Sequence, residues 1–236
     1  MTVFPISKVN SLRQRAMKAC PPPQRDLVGW NKSDADPMRL LAVFSALRIR
    51  PGFVLRAYQF CDGGNGNGRV LAMPTDAPFP EPVECFDFAE PPQPPFALGH
   101  PMDAVDGDGT PWSFLSASIL SREIDEFGAM WHGCDWSTHT ILGADPWNFE
   151  PQAKVRHRRQ PLAGSPVEQW EWKQPRPEAW EPTVDQAEEA VIVKFFTMSG
   201  LGCETIYRWT DTYKPGSYRP ETLEEDVANG PGGFVF

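Results

Sequence analysis

The sequence lacks the features that mark membrane proteins, secreted proteins and disulfide-rich domains. Its apolar runs are far shorter than the roughly 20 residues that a membrane span needs. Residues 1–20 contain no apolar core of a secretory signal. The cysteines are odd in number and form no C-x-x-C pair; they are Cys20, Cys61, Cys85, Cys134 and Cys203. These absences predict a soluble, cytoplasmic protein with reduced thiols and no contact with a membrane.

A complete nucleotide-binding motif is also missing, although residues 63–70, GGNGNGRV, approach one. Gly63 and Gly68 have the spacing of a phosphate-binding loop, G-x-x-x-x-G. Arg69 and Val70 then stand where lysine and a hydroxyl residue are required, and the following residues are typical of a strand and not of a helix. We therefore predict a hairpin loop that uses glycine and asparagine for positive φ, with a mobile lid over a neighbouring site as the alternative.

Basic residues are scarce in the middle of the chain. Residues 1–56 hold ten Lys and Arg against three Asp and Glu, a net charge of +7, whereas residues 57–150 hold two against fifteen, a net charge of −13. An acidic surface of this kind attracts a cationic partner. Alternatively, the basic arm packs beside the acidic region of its own chain.

Apolar spacing predicts two helices and a hairpin in the first third of the chain. Residues 6–17 predict a short basic amphipathic helix, with the prolines at 21–23 ending the pattern. Asp36 is a suitable cap for a second helix, whose apolar segment MRLLAVFSALRI predicts a buried core element. Residues 52–60 and 69–74 predict two strands around the glycine loop. Prolines, 26 of 236 residues, then predict ordered coil over 74–101, because proline interrupts helices and central strands.

The second half of the chain predicts one more helix and a second hairpin. Ser121 is a suitable cap for a helix over REIDEFGAMW, and the preceding TPWSFLSASIL suits either a strand or part of that helix. The segment DWSTHTIL predicts a strand, and residues 190–198 and 203–213 predict a hairpin. The expected fold is α+β: antiparallel hairpins form a twisted sheet with two or three packed helices and long proline-rich ordered coil. We expect a single domain over 1–236, with a basic helical arm over about 1–50 and a frayed acidic tail over about 220–236.

Two segments contain residue types that bind metals. His132 and His139 flank Cys134 in WHGCDWSTH, and His100 and Asp103 stand in GHPMDAVDGDGTPW. Convergence of His100, Asp103, His132 and His139 would form a site for a divalent metal, which is the one cofactor that the sequence suggests. The alternatives are packed side chains at a helix–strand junction and a solvated Asp-Gly turn. Cys134 follows a predicted helix, where the helix dipole disfavours a reactive thiolate.

These features leave two functional hypotheses. The first is a binding or regulatory protein that engages an unknown protein or small polar ligand through the acidic middle or the tryptophan-rich coil over 144–184. The second is a metal-assisted enzyme, such as a hydrolase, built on the four metal-type residues. The basic run KVRHRR at 154–159 suggests nucleic-acid binding, but the acidic surroundings and the absence of a known fold signature argue against that partner.

Overall fold

A computed structural model describes residues 1–20, 28–82, 87–147 and 165–235 and confirms the α+β class. The described residues form three α-helices and mostly antiparallel strands. The helices are α1 (Ile6–Ala19), α2 (Pro37–Leu41) and α3 (Pro111–Asp125). The strands are β1 (Thr2–Val3), β2 (Gly29–Lys32), β3 (Leu47–Ile49), β4 (Phe53–Asp62), β5 (Asn65–Pro74), β6 (Val105–Gly107), β7 (Thr140–Ile141), β8 (Glu171–Trp172), β9 (Thr183–Gln186), β10 (Val191–Ser199), β11 (Thr205–Tyr213) and β12 (Glu221–Asn229).

The strands are arranged in three sheets. The largest has the order β1-β9-β10-β11-β12-β8, with β7 also pairing with β10; the smaller sheets are β2-β4-β5 and β3-β6. The predicted hairpins correspond to β4–β5 and β10–β11. Helix α3 contacts β5 of the three-stranded sheet as well as β9 and β10 of the large sheet, so its buried side chains join the two into one core.

Helix α1 matches its prediction, but one of its basic residues does not face solvent. Val9, Leu12 and Ala16 are buried, and Arg13 is buried with them at 7% exposure. The amphipathic pattern therefore identified the helix and its apolar face. It did not identify the buried cation within that face.

The second helix is much shorter than predicted. The Asp36 carboxylate caps it by accepting the Met38 backbone N–H over 2.9 Å, but α2 ends at Leu41. The remaining residues of MRLLAVFSALRI form turns and then β3. Phe44 and Leu47 are buried in this non-helical stretch. A broad apolar run indicates burial, and it does not distinguish a helix from another buried element.

Helix α3 starts ten residues before the predicted cap at Ser121 and ends before the predicted segment does. Thr110 caps it by accepting the Ser113 backbone N–H, and Pro111 occupies the first turn. Its side chains are buried on almost every face, serines included. A helix buried all round shows no amphipathic period, which explains why the sequence left its first half ambiguous.

The acidic C-terminal segment was predicted to fray, and this is wrong for residues 221–229. They form β12, which pairs antiparallel with β11 from Thr212↔Glu221 to Thr205↔Asn229. The acidic side chains lie on a strand whose buried residues, Val227 and Ala228, pack into a second core cluster. Local composition disfavours a strand here, and the pairing with β11 overrides it.

The proline-rich segment is ordered coil where it is described. The Tyr58 hydroxyl donates to the Pro80 carbonyl over 2.9 Å, and the Trp30 indole N–H donates to the Asp87 carbonyl over 3.0 Å. These bonds attach the coil to the three-stranded sheet. Within the described ranges, no helix has the length and apolarity to cross a membrane. The single-domain organisation stays a prediction.

Candidate functional site

The chain that leaves α3 lies directly against the glycine hairpin β4–β5. Met130 N–H donates to the Gly66 carbonyl over 2.9 Å, and Gly66 N–H donates to the Met130 carbonyl over 3.4 Å. A Cβ at Gly133 would lie only 2.2 Å from the Gly66 oxygen. The glycine-rich stretch and WHGCDWSTH, which are separate in the sequence, therefore meet in one place. We call residues 131–139 the 131–139 loop.

The glycines of this hairpin have two different roles. Gly63 and Gly64 form its two-residue turn, with φ of +56° and +107°. Gly66 and Gly68 lie within β5, where a Cβ on Gly68 would lie 2.1 Å from the Phe127 oxygen. The prediction of positive φ is correct for the turn glycines and wrong for Asn65 and Asn67, which lie in the extended strand β5. Gly66 and Gly68 allow the end of α3 and the 131–139 loop to approach the strand closely.

Trp131 is the most unusual residue of the loop. Its φ is +48°, which makes it the one non-glycine residue with positive φ in the described part of the chain. Its side chain is 57% exposed, and the neighbouring His132 is exposed as well. Left-handed backbone is unfavourable for a bulky residue and persists where the surrounding structure enforces it.

Glu126, just after α3, holds the loop through two backbone amides. One carboxylate oxygen accepts the Asp135 N–H over 2.7 Å, and the other accepts the Ser137 N–H. Burial raises the pKa of Glu126, and the two hydrogen bonds oppose that rise. A single side chain thus replaces the strand partners that this irregular segment lacks.

Arg13 of α1 holds the same loop from the opposite direction, through carbonyls. Its guanidinium donates to the carbonyls of Trp136 and His139, and its Nε lies 3.4 Å from Glu123 Oε1. The Trp136 indole N–H donates to the same Glu123 oxygen over 2.9 Å. Burial raises the pKa of Glu123, and Arg13 opposes the shift. Part of the charge contrast in the sequence is therefore internal, since a cation of the basic arm pairs with an anion of the acidic middle.

His139 anchors the end of the loop to the large sheet. Its Nδ1 lies 2.8 Å from the Thr197 hydroxyl, which also accepts the Trp209 indole N–H over 2.8 Å. Nε2 lies 3.6 Å from the Asp135 carboxylate, and this side-chain interaction lowers the pKa of Asp135.

The row of Asp135, His139 and Thr197 contains the residue types of a nucleophilic triad, but its burial does not suit catalysis. Thr197 has no exposed surface and His139 is almost fully buried. A nucleophile must reach its substrate, and this hydroxyl is enclosed between an imidazole and an indole. The row is a structural anchor, and it leaves only Asp135 in solvent.

A buried ion pair supports the sheet behind this anchor. Arg122 of α3 binds Asp211 of β11 through two hydrogen bonds of 2.8 and 3.0 Å. The Thr222 hydroxyl donates to the same carboxylate over 2.7 Å, and the guanidinium lies 4.3 Å from the Trp209 ring. Both charges are removed from water. The two Nη atoms of Arg122 are paired, with Nη1 also donating to the Ser118 carbonyl over 2.8 Å, whereas its buried Nε has no hydrogen-bond partner among the described residues.

The four predicted metal ligands do not form one cluster. Among the described residues, no group of three or more histidine, cysteine, aspartate or glutamate side chains is arranged to hold a metal ion. His132 is exposed on a single turn of 3-10 helix, whereas His139 is buried against β10. A metal at any one of these residues stays a prediction.

His100 and Asp103 each have a local role instead. His100 Nδ1 accepts the Met102 backbone N–H over 3.1 Å and so caps a short 3-10 helix, Pro101–Ala104. Asp103 pairs with Arg219 at 3.2 Å. Burial lowers the pKa of His100, and the charge of Arg219 lowers it further.

Sequence reasoning singled out WHGCDWSTH but missed the residues that hold it. Arg13 stands four residues after Val9, so it lies on the apolar face of α1, and this position could have predicted its burial. The sequence around Asp211 and Glu126 contains no pattern that predicts their contacts. The predicted strand DWSTHTIL is reduced to Thr140–Ile141, and the basic run at 154–159 lies outside the described residues.

Comparisons with protein-family models, with curated proteins and with solved structures found no match for this chain. The functional interpretation therefore rests on the geometry of its own residues.

Proposed function

We propose that this chain is a binding protein and that the 131–139 loop is its contact surface, with Trp131 as the anchor. The observation that supports the proposal is an exposed tryptophan at positive φ, inside a loop whose backbone is fixed by buried charged side chains. Tryptophan is enriched among the residues that dominate binding energy at interfaces.

The strain at Trp131 is central to this argument. Holding a bulky residue at positive φ costs on the order of 1–3 kcal/mol, and such strain is concentrated at functional sites. Glycine would occupy the position without that cost. Glu126 and Arg13 instead fix the segment after it, so the loop keeps one conformation in which the indole projects into solvent. A preordered anchor lowers the entropy that binding has to overcome.

The charges around the loop favour a cationic protein partner. Asp135 lies in the loop itself, and Asp62 ends β4 at the tip of the adjoining hairpin; both are exposed. These residues belong to the acidic middle of the chain. Electrostatic attraction then accelerates and orients the encounter, and Trp131 provides the apolar contact.

The other predicted surfaces have less support. In the tryptophan-rich coil, Trp147 lies against Trp170 and Trp172, and Arg176 already covers the Trp147 and Trp172 rings. Those indoles are occupied by contacts within the chain. A metal-assisted hydrolase remains a hypothesis without a described cluster of ligands in its favour.

The test compares Trp131→Gly with the wild-type protein against a panel of lysine- and arginine-containing peptides that each carry one apolar residue. We expect Trp131→Gly to bind at least about tenfold more weakly while unfolding at a higher temperature, because glycine relieves the backbone strain. Phe96→Ala is the control, since Phe96 is also an exposed aromatic residue. It should bind as the wild type does.

Equal binding by wild type and Trp131→Gly, or the absence of binding to any peptide of the panel, would overturn the proposal. The electrostatic part has a separate readout. Affinity that does not change as salt is raised would show that the acidic residues take no part.

A further inference from the structure

The outer edge of β12 has no strand partner over most of its length among the described residues. One side of this strand pairs with β11 along its whole length, whereas in the described ranges the other side pairs with β8 at Ala228 and Asn229 alone. No residue in the described ranges pairs with the outer edge from Glu221 to Asp226. An open edge of this kind is a template for one more strand.

The neighbouring strand stops for an identifiable reason. Beyond β8, the backbone N–H groups of Lys173 and Gln174 both donate to the Val227 carbonyl. The next residue is Pro175, which has no N–H to continue the pairing. The path alongside the rest of β12 is therefore left to another chain segment.

The free part of the edge is regular. Its register with β11 runs without interruption from Thr212↔Glu221 to Tyr207↔Asp226, and the one irregularity lies beyond it, at Val227. The free part contains no proline. Every second residue of such a strand points its N–H and C=O away from the paired neighbour, so these groups are aligned for an incoming strand. Natural sheets protect an exposed edge with proline, a bulge or charged side chains, and over these residues the charged side chains alone are present.

The side chains of the same stretch define the charge of its partner. Residues 221–226 contain no Lys or Arg, and four of the six are acidic, namely Glu221, Glu224, Glu225 and Asp226. Leu223 stands among them with its side chain 56% exposed. This edge combines strand-pairing groups, negative charge and one apolar contact.

Three of the acidic residues already pair with cations of this chain. Asp226 pairs with Lys173 at 2.8 Å and Glu221 with Lys214; these two pairs join accessible side chains and contribute little to stability. Glu225 is held more firmly, because the Arg208 guanidinium binds it through two hydrogen bonds of 3.0 and 2.9 Å. An incoming cation can share the carboxylates of Glu221 and Asp226 at small cost. Glu224 makes no ion pair with any residue that the structure describes.

A second copy of this chain is a poor occupant of the edge. Antiparallel self-pairing centred on Leu223 and Glu224 places Glu221 opposite Asp226 on both sides of the axis. Like charges directly opposite one another destabilise a strand pair. The occupant therefore has to bring the opposite charge.

We infer that the outer edge of β12, from Glu221 to Asp226, binds an extended cationic segment of a partner protein as an additional strand of the large sheet. The backbone supplies the pairing. Glu221, Leu223 and Glu225 share one face of β12, so the matching face of the incoming strand carries two cationic residues on either side of an apolar residue that contacts Leu223. This inference is independent of the Trp131 surface, and each can fail without the other.

The test uses the full-length protein and a capped peptide of about eight residues in which one strand face carries lysine, valine and lysine at positions i, i+2 and i+4 and the other face carries threonine. A second peptide of the same sequence carries N-methyl groups on alternate backbone nitrogens, which removes its pairing capacity and keeps its charge. We expect the first peptide to bind with a dissociation constant of about 100 μM or tighter, and the methylated peptide to bind at least about tenfold more weakly. Amide hydrogen exchange should slow at alternate residues of 221–226.

The matched variants are Glu224→Lys and Glu188→Lys. Both change the net charge equally, but Glu188 is an exposed residue between β9 and β10. Glu224→Lys should weaken peptide binding by roughly threefold to tenfold, and Glu188→Lys and Trp131→Ala should not. Equal binding of the two peptides, equal effects of the two lysine variants, or unchanged exchange at 221–226 would each overturn the inference. Concentration-dependent dimers that protect the same amides would identify a second copy as the occupant instead.

Discussion

The two long hairpins of this chain hold the same loop by opposite means. The β4–β5 hairpin meets it with bare backbone, because Gly66 and Gly68 carry no side chain where the loop and the end of α3 approach. The β10–β11 hairpin meets it with buried polar side chains, Thr197 against His139 and Ser199 against Thr138, and its Asp211 binds Arg122 of α3 behind the loop. The first contact depends on the absence of a side chain, and the second depends on hydrogen bonds between buried polar groups.

This difference determines how each contact fails. A contact made by glycine is lost when any side chain is added, and the cost depends on how far the neighbouring backbone can move. A buried polar contact is lost when one partner is removed, and the cost is that of leaving the other partner buried and unpaired. The second kind of loss is the larger one when the orphaned group is charged.

The largest effect is expected from Arg122→Met, which leaves the Asp211 carboxylate buried without a cation. We expect the free energy of unfolding to fall by about 3–5 kcal/mol, measured by urea denaturation. The control is the double variant Arg122→Met/Asp211→Leu, which removes both charges and should recover much of the loss. A loss below about 1 kcal/mol for the single variant would show that Asp211 finds another partner or water.

On the glycine side, Gly68→Ala is expected to cost about 1–3 kcal/mol, because its Cβ would lie 2.1 Å from the Phe127 oxygen and the backbone has to shift. Gly99→Ala is the matched control, since a Cβ at Gly99 meets nothing within 4 Å and its φ is not positive. That control should leave the free energy of unfolding unchanged or slightly raised. Equal stability of the two variants would mean that the close approach at Gly68 has no energetic weight.

Substitutions at the turn glycines of the two hairpins measure the cost of backbone strain without any steric clash. A Cβ added at Gly64 or at Gly202 would have no neighbour within 4 Å, but the φ values of these glycines are +107° and +73°. Alanine at each position should cost roughly 1–2 kcal/mol, with the larger loss at Gly64, whose φ lies further from the left-handed minimum. Thermal unfolding of the two variants in parallel measures this. A larger loss at Gly202 would contradict the assignment of both costs to φ alone.

The period-two patterns and glycine-rich turns of the sequence predicted the two hairpins, and its apolar spacing predicted helix α1. The predictions that were wrong or left open share one cause. Helix α3 is buried all round, the apolar residues after α2 are buried without being helical, and Glu221–Asn229 pairs with β11 in spite of its acidity. In each case a contact distant in sequence decided the structure. Local patterns report burial and propensity, and they carry no information about the partner.

The candidate site shows the same limit. The segment WHGCDWSTH was recognised by its residue types, but its role depends on Glu126, Arg13 and Gly66, which reach it from a helix end, another helix and a strand. The positive φ of Trp131 is a further feature that the sequence did not predict. No spacing rule predicts left-handed backbone at a tryptophan, since the intrinsic preference opposes it.

The smallest effect is expected where the loop faces solvent, at Asp135. The interaction with His139 holds the pKa of Asp135 below its usual value of 3.8. A lowered folded-state pKa contributes stability above the unfolded value, and that contribution is lost as pH falls through the folded pKa. The carboxylate is 76% exposed, so solvent screening limits the contribution to less than about 1 kcal/mol.

Asp135→Asn should therefore lower the free energy of unfolding slightly at pH 7 and match the wild type once the pH is well below the folded pKa of Asp135. Urea denaturation across this range measures the difference between the two proteins, and a difference that grows as pH falls would mean that folding raises the pKa of this carboxyl instead of lowering it.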